Sequence, residues 1–171
     1  VLGERVAKAL QVFDFPVNGY SRSPKDLPGV RCFSGAQSLP DFLQSTRVLV
    51  NLMPLTPETE NILNQDTLAQ LQPGGYVINV ARGKHLVDED LIALIDSGHL
   101  AGATLDVFRT EPLPAEHPFW RHPRITVTYW MNRLQGIDPA RPLFVTLNPI
   151  REPAPESVIR TQIYHHPMFD A

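Results

Sequence analysis

The feature that most constrains the fold is the stretch Gly74-Gly75-Tyr76-Val77-Ile78-Asn79-Val80-Ala81-Arg82-Gly83. A Gly-Gly pair able to turn the chain feeds a short, β-branched, nearly all-apolar run, which closes on a small residue, one arginine and a further glycine. Such a run suits a strand buried on both faces, and that calls for a parallel sheet with helices packed over it. In open α/β sheets ligands bind outside the carboxyl ends of the strands. Arg82 therefore stands where a cation can hold an anion.

The same grammar recurs along the chain. Apolar runs predict further strands at 48–52, 104–107 and 125–128 beside the one at 77–80, with shorter candidates at 17–20 and 31–33. Leu2, Val6, Leu10 and Phe13 recur at helical spacing over 2–13, and Ser38 and Pro40 open a helix as a cap and a first-turn proline. A short helix is expected at 65–71. Another follows Val87, with Asp88, Glu89 and Asp90 in its first turn, where the helix dipole favours carboxylates, and Gly98 as a left-handed C-terminal cap. Strand and helix in alternation require crossover connections, so the expected fold class is α/β, a doubly wound and mainly parallel sheet.

At 171 residues, 43% hydrophobic and 19% charged, the chain is long enough for one packed domain of this kind. A net charge of −3 offers no basic surface for nucleic acid, and no apolar run approaches the ~20 residues that cross a bilayer. Cys32, the single cysteine, cannot form an internal disulfide; it reads as a small core residue in a cytoplasmic, reducing setting. Because residue 1 is valine and the helical pattern begins at once, the chain is expected to start inside an element.

Three features point to chemistry. Ser21-Arg22-Ser23-Pro24-Lys25 follows the first strand candidate and holds no carboxylate before Asp26. An acidic residue there would bind the ribose hydroxyls of NAD, whereas arginine and hydroxyls accommodate a 2′-phosphate, so the loop predicts NADP; an ordinary solvated basic loop is the alternative. The proline- and hydroxyl-rich exit 53–59 is either a wall of the cofactor crevice on its adenosine side or a structural turn. Asp106 interrupts an apolar run, which costs several kcal/mol unless the carboxylate is paired or faces a polar ligand at the strand end. A ligand-facing role is expected.

Val-Ile-Asn-Val-Ala-Arg-Gly at 77–83, Leu-Asp-Val-Phe with Glu-Pro within 105–112, and His-Pro-Arg-Ile-Thr-Val-Thr at 122–128 resemble the D-isomer-specific 2-hydroxyacid dehydrogenases, in particular their glyoxylate/hydroxypyruvate reductase branch. The resemblance covers residues 1–128. It implies a Rossmann-type NADP-binding domain lacking its first strand, with Val1, Leu2 and Gly3 as the end of the glycine-rich phosphate loop. It further implies cofactor contacts from Ser21, Arg22, Ser23, Leu52, Pro54, Thr59, Val80, Ala81, Arg82 and Asp106, no metal, and a homodimeric parent enzyme. The implied reaction is hydride transfer from the nicotinamide to a small 2-oxo acid. Arg82 would grip the substrate carboxylate and carbonyl, and Glu111 would orient a histidine acting as general acid. In the family that histidine follows a proline after the last strand, at positions equivalent to 129 and 130 here. The chain has Tyr129-Trp130 instead. His117 and His122 precede the strand and read as members of turns, so the chain is expected not to reduce glyoxylate or hydroxypyruvate itself.

Residues 129–171 hold six of the 17 prolines and one glycine. Trp-Met-Asn-Arg-Leu-Gln at 130–135 and Leu-Asn-Pro at 147–149 resemble a segment of the flavin-dependent amine-oxidase-like oxidoreductases. Two domains are thus expected, 1–128 and an unrelated irregular tail 129–171, joined as a chimera. Without its first strand the sheet would be loosened between 17–20 and 48–52, the tail staying peripheral unless 143–147 enters that space. The functional alternative is a non-catalytic fusion or remnant that binds no ligand.

Overall fold

In the computed structural model, residues 2–130, 144–147 and 155–158 are described. The order is α1 (Leu2–Gln11), β1 (Val17–Ser21), β2 (Val30–Ser34), α2 (Leu39–Gln44), β3 (Val48–Asn51), α3 (Gln65–Leu68), β4 (Gly75–Asn79), α4 (Asp88–Asp96), β5 (Leu100–Leu105), β6 (Ile125–Trp130) and β7 (Phe144–Leu147), with short 3₁₀ turns between them. Strands β3-β4-β5-β6-β7 form one sheet in that order, and β1-β2 form another. Every pair is parallel except β6–β7. The fold is α/β with parallel sheets, of the Rossmann-like kind expected. Because β4, β5 and β6 each add to the same side, right-handed crossovers carry α3 and α4 over one face. The C-terminal ends of β3, β4, β5 and β6 then open on one edge, which is what positions the site.

Burial on both faces does not hold for the 77–80 strand. Gly75, Val77 and Asn79 are sealed while Tyr76 and Ile78 are half-buried, because α3 and α4 cover only one side. The sealed side gathers Leu68, Val77, Leu91, Ile95, Leu100, Leu105, Phe119 and Ile125 in one core. The strand expected at 104–107 lies earlier, and Asp106 follows it rather than interrupting it. Gly102 lets the strand start at Leu100: a Cβ there would lie 2.4 Å from the Arg124 carbonyl oxygen. At the other end Phe108 turns out of the sheet, its N–H bonded to the Glu111 carboxylate at 2.9 Å.

Several helix expectations shift. The apolar stripe of α1 is not a core face: Leu2 is 61% exposed, Phe13 lies beyond the helix at 73%, and Ala7 alone is buried, since α1 packs mainly on β1. Ser38 precedes α2 without capping it, its hydroxyl donating back to the Ser34 and Gly35 carbonyls. Pro40 does sit in the first turn. Helix α3 stops at Leu68, and its N-terminus is closed by an Asn64–Thr67 capping box. Gly98 has φ 81°, the left-handed cap expected after α4. Cys32 is half-buried rather than core, because Phe33 takes the inward face of β2.

The tail is not wholly irregular. Strand β6 runs through residue 128 unbroken, and Phe144–Leu147 pairs with it antiparallel, Val127 opposite Leu147 and Trp130 opposite Phe144. The segment is therefore at the far edge of the large sheet and does not enter the space between β1 and β3. The two sheets stay separate and are joined through α2. Asn18 on β1 donates to the Ser45 carbonyl at 3.0 Å, and Tyr20 and Phe33 set their rings against Phe42.

Candidate functional site at the carboxyl ends of β3 and β4

A cavity of about 470 Å³ lies where β3 and β4 end, lined by Leu2, Leu52, Met53, Pro54, Leu55, Val80, Ala81 and Arg82. One wall is the exit of β3, the other the exit of β4, and the first residue of α1 closes the rim. Seven apolar side chains and one guanidinium line the cavity, a set that suits a flat, largely uncharged ring next to an anionic group. The size is within the range of small-molecule pockets.

Buried amides shape both walls. Asn51 donates to the Asn79 side-chain oxygen at 3.0 Å, and that oxygen also accepts from the Ala81 N–H at 3.2 Å. The Asn79 amide donates to the Arg82 carbonyl at 3.2 Å, and the Asn51 oxygen accepts from Met53 N–H at 3.2 Å. Each strand end is thus bent outward by the asparagine that terminates it. His85, fully buried, places Nδ1 3.1 Å from the Arg82 carbonyl oxygen and Nε2 3.2 Å from that of Pro54. Gly83 brings the Arg82 turn against the loop after β5. A Cβ there would lie 1.8 Å from the Phe108 carbonyl carbon, so only glycine admits this approach.

The family model for the D-isomer specific 2-hydroxyacid dehydrogenase NAD binding domain matches residues 1–132. The chain belongs to this family. It is 56% identical over 128 residues to glyoxylate/hydroxypyruvate reductase A of Serratia proteamaculans, covering 75% of this chain and 41% of that protein. Among solved structures it is similar to a D-isomer specific 2-hydroxyacid dehydrogenase from Xanthobacter autotrophicus in complex with NADPH, with TM-score 0.72 and 47% identity over 74% of this chain and 52% of that one. An NADPH-dependent glyoxylate/hydroxypyruvate reductase from Sinorhizobium meliloti in complex with NADP and sulfate gives TM-score 0.71 at 41% identity, over 74% of this chain and 41% of that one. The chain thus spans about two fifths of the length of the curated relative it matches.

Of the dehydrogenase positions read from the sequence, Leu2, Leu52, Pro54, Val80, Ala81 and Arg82 meet in the cavity. Arg82 is exposed, with Nη1 donating to the Ala81 carbonyl at 2.7 Å. Gly3 lies in the first turn of α1 with open space where a Cβ would be, and Val1 lies outside the described residues. Asp106 is the first residue past β5, half-buried, its N–H on the Asn79 carbonyl at 3.0 Å. Thr59 turns its hydroxyl into its own loop, donating to the Pro54 carbonyl at 2.9 Å and accepting from Thr56 N–H at 2.8 Å. Ser21 likewise donates to the Ser23 carbonyl at 2.7 Å, while Arg22 and Ser23 are exposed. Thr56 and a backbone amide hold the exposed Glu58 carboxyl below its ordinary range, with a smaller pull from Arg22. Glu111 does not line the cavity: its carboxylate is taken up by Phe108 N–H.

The other acidic groups and histidines have structural work. His117 accepts from Phe119 N–H at 3.3 Å and sets Nε2 3.3 Å from Asp88. Burial raises the Asp88 carboxyl above its ordinary value, against the pull of His117 and Arg109. Asp90 accepts from Gln65 N–H at 2.8 Å, so the charges of α4 serve neighbouring turns as well as its own dipole. His122 accepts from Arg124 N–H and meets Asp96, each at 3.2 Å. Both histidines are turn members, as read from the sequence. Among the described residues no group of three or more potential metal ligands gathers, and no helix is long and apolar enough to cross a membrane. Sequence reasoning missed Asn51, Asn79 and His85. The two asparagines carried a signal, since a polar side chain in a buried strand demands a partner just as Asp106 does; His85 carried none.

Proposed function

We propose that this chain is the NADP-binding part of a reductase for small 2-oxo acids such as glyoxylate or hydroxypyruvate. The observation that carries the reading is the cavity at the β3 and β4 ends with Arg82 at its wall. NADPH, when bound, supplies the hydride. Val80 and Ala81 would receive the nicotinamide half, Leu52 and Pro54 the adenosine side, the α1 end at Leu2 and Gly3 the phosphates, and Ser21, Arg22 and Ser23 the 2′-phosphate. Arg82 offers a forked guanidinium to the substrate carboxylate. The relatives described with NADPH or NADP support the choice of cofactor.

The test is titration with NADPH and NADH, followed by nicotinamide fluorescence. NADPH should bind the more tightly, and Arg22→Asp should reverse the order; equal affinities in the unmodified chain would remove the assignment. Tyr129-Trp130, where the family places its proline and histidine, favours binding without turnover. General acid catalysis is worth ~10²–10⁴-fold. Reduction of hydroxypyruvate at the rate of an intact reductase would overturn that part. We further take 129–171 as joined from a flavin-dependent oxidoreductase, which sequencing of the locus across codons 120–140 tests, and the parent enzyme as a cytoplasmic homodimer.

A further inference from the structure

We propose that His85 is a positioning residue that ties the two walls of the cavity together and thereby sets the spacing between the β3 exit and Arg82. The inference rests on the functional reading above for its ligand, and on geometry alone for the tie. His85 is wholly buried, lies outside the cavity lining, and has ring nitrogens on the Arg82 and Pro54 carbonyl oxygens, one from each wall. Carbonyl oxygens only accept, so the ring N–H donates to one of the two and, in a neutral ring with its single N–H, the other carbonyl is held against the ring by packing. The Arg82 carbonyl also receives Asn79, and Asn79 is bonded to Asn51 at the end of β3. Asn51, Asn79, the Arg82 carbonyl, His85 and the Pro54 carbonyl thus form a polar chain that leaves β3 and returns to the β3 exit loop. Side chains that span two loops fix their distance more tightly than either loop's own turns can, and a ligand seated between the loops feels that distance.

The experiment compares the full chain with His85→Leu and His85→Gln, the second keeping an N–H donor. Amide exchange is measured first, without ligand. Met53 and Ala81 N–H, which bond to Asn51 and Asn79, should exchange faster in His85→Leu and recover in His85→Gln; unchanged exchange in His85→Leu overturns the proposal. NADPH and 2′,5′-ADP, the adenosine half of the cofactor, are then titrated. Affinity for NADPH should fall about tenfold in His85→Leu, while that for 2′,5′-ADP holds and His85→Gln restores most of the loss. A parallel fall for both ligands, which a general loss of stability would give, overturns the positioning role. If the unmodified chain binds no NADPH, the functional reading fails and the exchange measurement alone decides the tie.

Discussion

Replacing Gly83 by alanine should be among the most damaging single-methyl changes available to this chain. The added carbon would lie 1.8 Å from the carbonyl carbon of Phe108, 2.0 Å from its oxygen and 2.3 Å from the nitrogen of Arg109. All three are backbone atoms, so no side chain can rotate away. Reaching ordinary contact at about 3.4 Å requires the Arg82–Gly83 turn and the loop after β5 to part by about 1.6 Å. That motion would pull on His85 and Phe108, both buried. Overpacking costs typically 1–3 kcal/mol, and a backbone clash belongs at about 3 kcal/mol. For a chain of this size each kcal/mol moves the midpoint by roughly 2–4 °C, so the melt should fall by about 6–12 °C. Gly98→Ala is the control. It has open space around its Cβ and a φ of +81°, so it meets only left-handed strain of about 1–2 kcal/mol. Thermal melts followed by circular dichroism on the three chains test the reasoning. A Gly83→Ala melt within about 2 °C of the parent, or above that of Gly98→Ala, would refute it.

Phe119→Ala should cost about 3–5 kcal/mol in urea unfolding, because the ring is fully buried beside Phe108 and His117; a loss below about 1 kcal/mol would show that the site collapses around the change. Asp88 predicts a pH signature. Burial raises its folded-state pKa above the ordinary 3.8, so the folded chain holds this proton more tightly than the unfolded one. The group's contribution to stability is fully present below 3.8 and is lost as pH climbs through the raised folded value. Urea midpoints of the parent minus those of Asp88→Asn should therefore decline as pH rises from 3.8 through the raised folded value, and a difference that is flat or grows over that interval counts against the assignment. Asn79→Leu leaves the Asn51 amide and Ala81 N–H short of a partner at about 1–3 kcal/mol each, so it should destabilise more than Asn18→Ala, which gives up a half-buried bond to Ser45; denaturant melts compare the two.

Periodicity is a local property, and what it determined is local: which stretches become strands, that helices alternate with them, and that Arg82 stands at a carboxyl edge. From that alternation parallel pairing follows, because a strand, a helix and a strand can rejoin one sheet only by a crossover. The turn histidines His117 and His122, Pro40 and Gly98 were legible for the same reason, each answering to neighbours within a few residues. The structure decided whatever depends on distant chain. Leu2 and Phe13 have helical spacing, yet their burial depends on what packs over α1. The 103–108 run is apolar but for Thr104 and Asp106, and where the strand stops is set by Glu111 drawing Phe108 N–H out of the sheet. The side chains lining the cavity could be guessed because strand ends converge by rule. The bonds holding it open could not. Asn51 and Asn79 are 28 residues apart and His85 and Pro54 31, and no spacing in a sequence states that two loops so separated will face each other across one imidazole. Gly83 is the plainest case: its sequence context reads as a turn, while its physical requirement is a backbone some 25 residues away, which only the packed fold brings into contact.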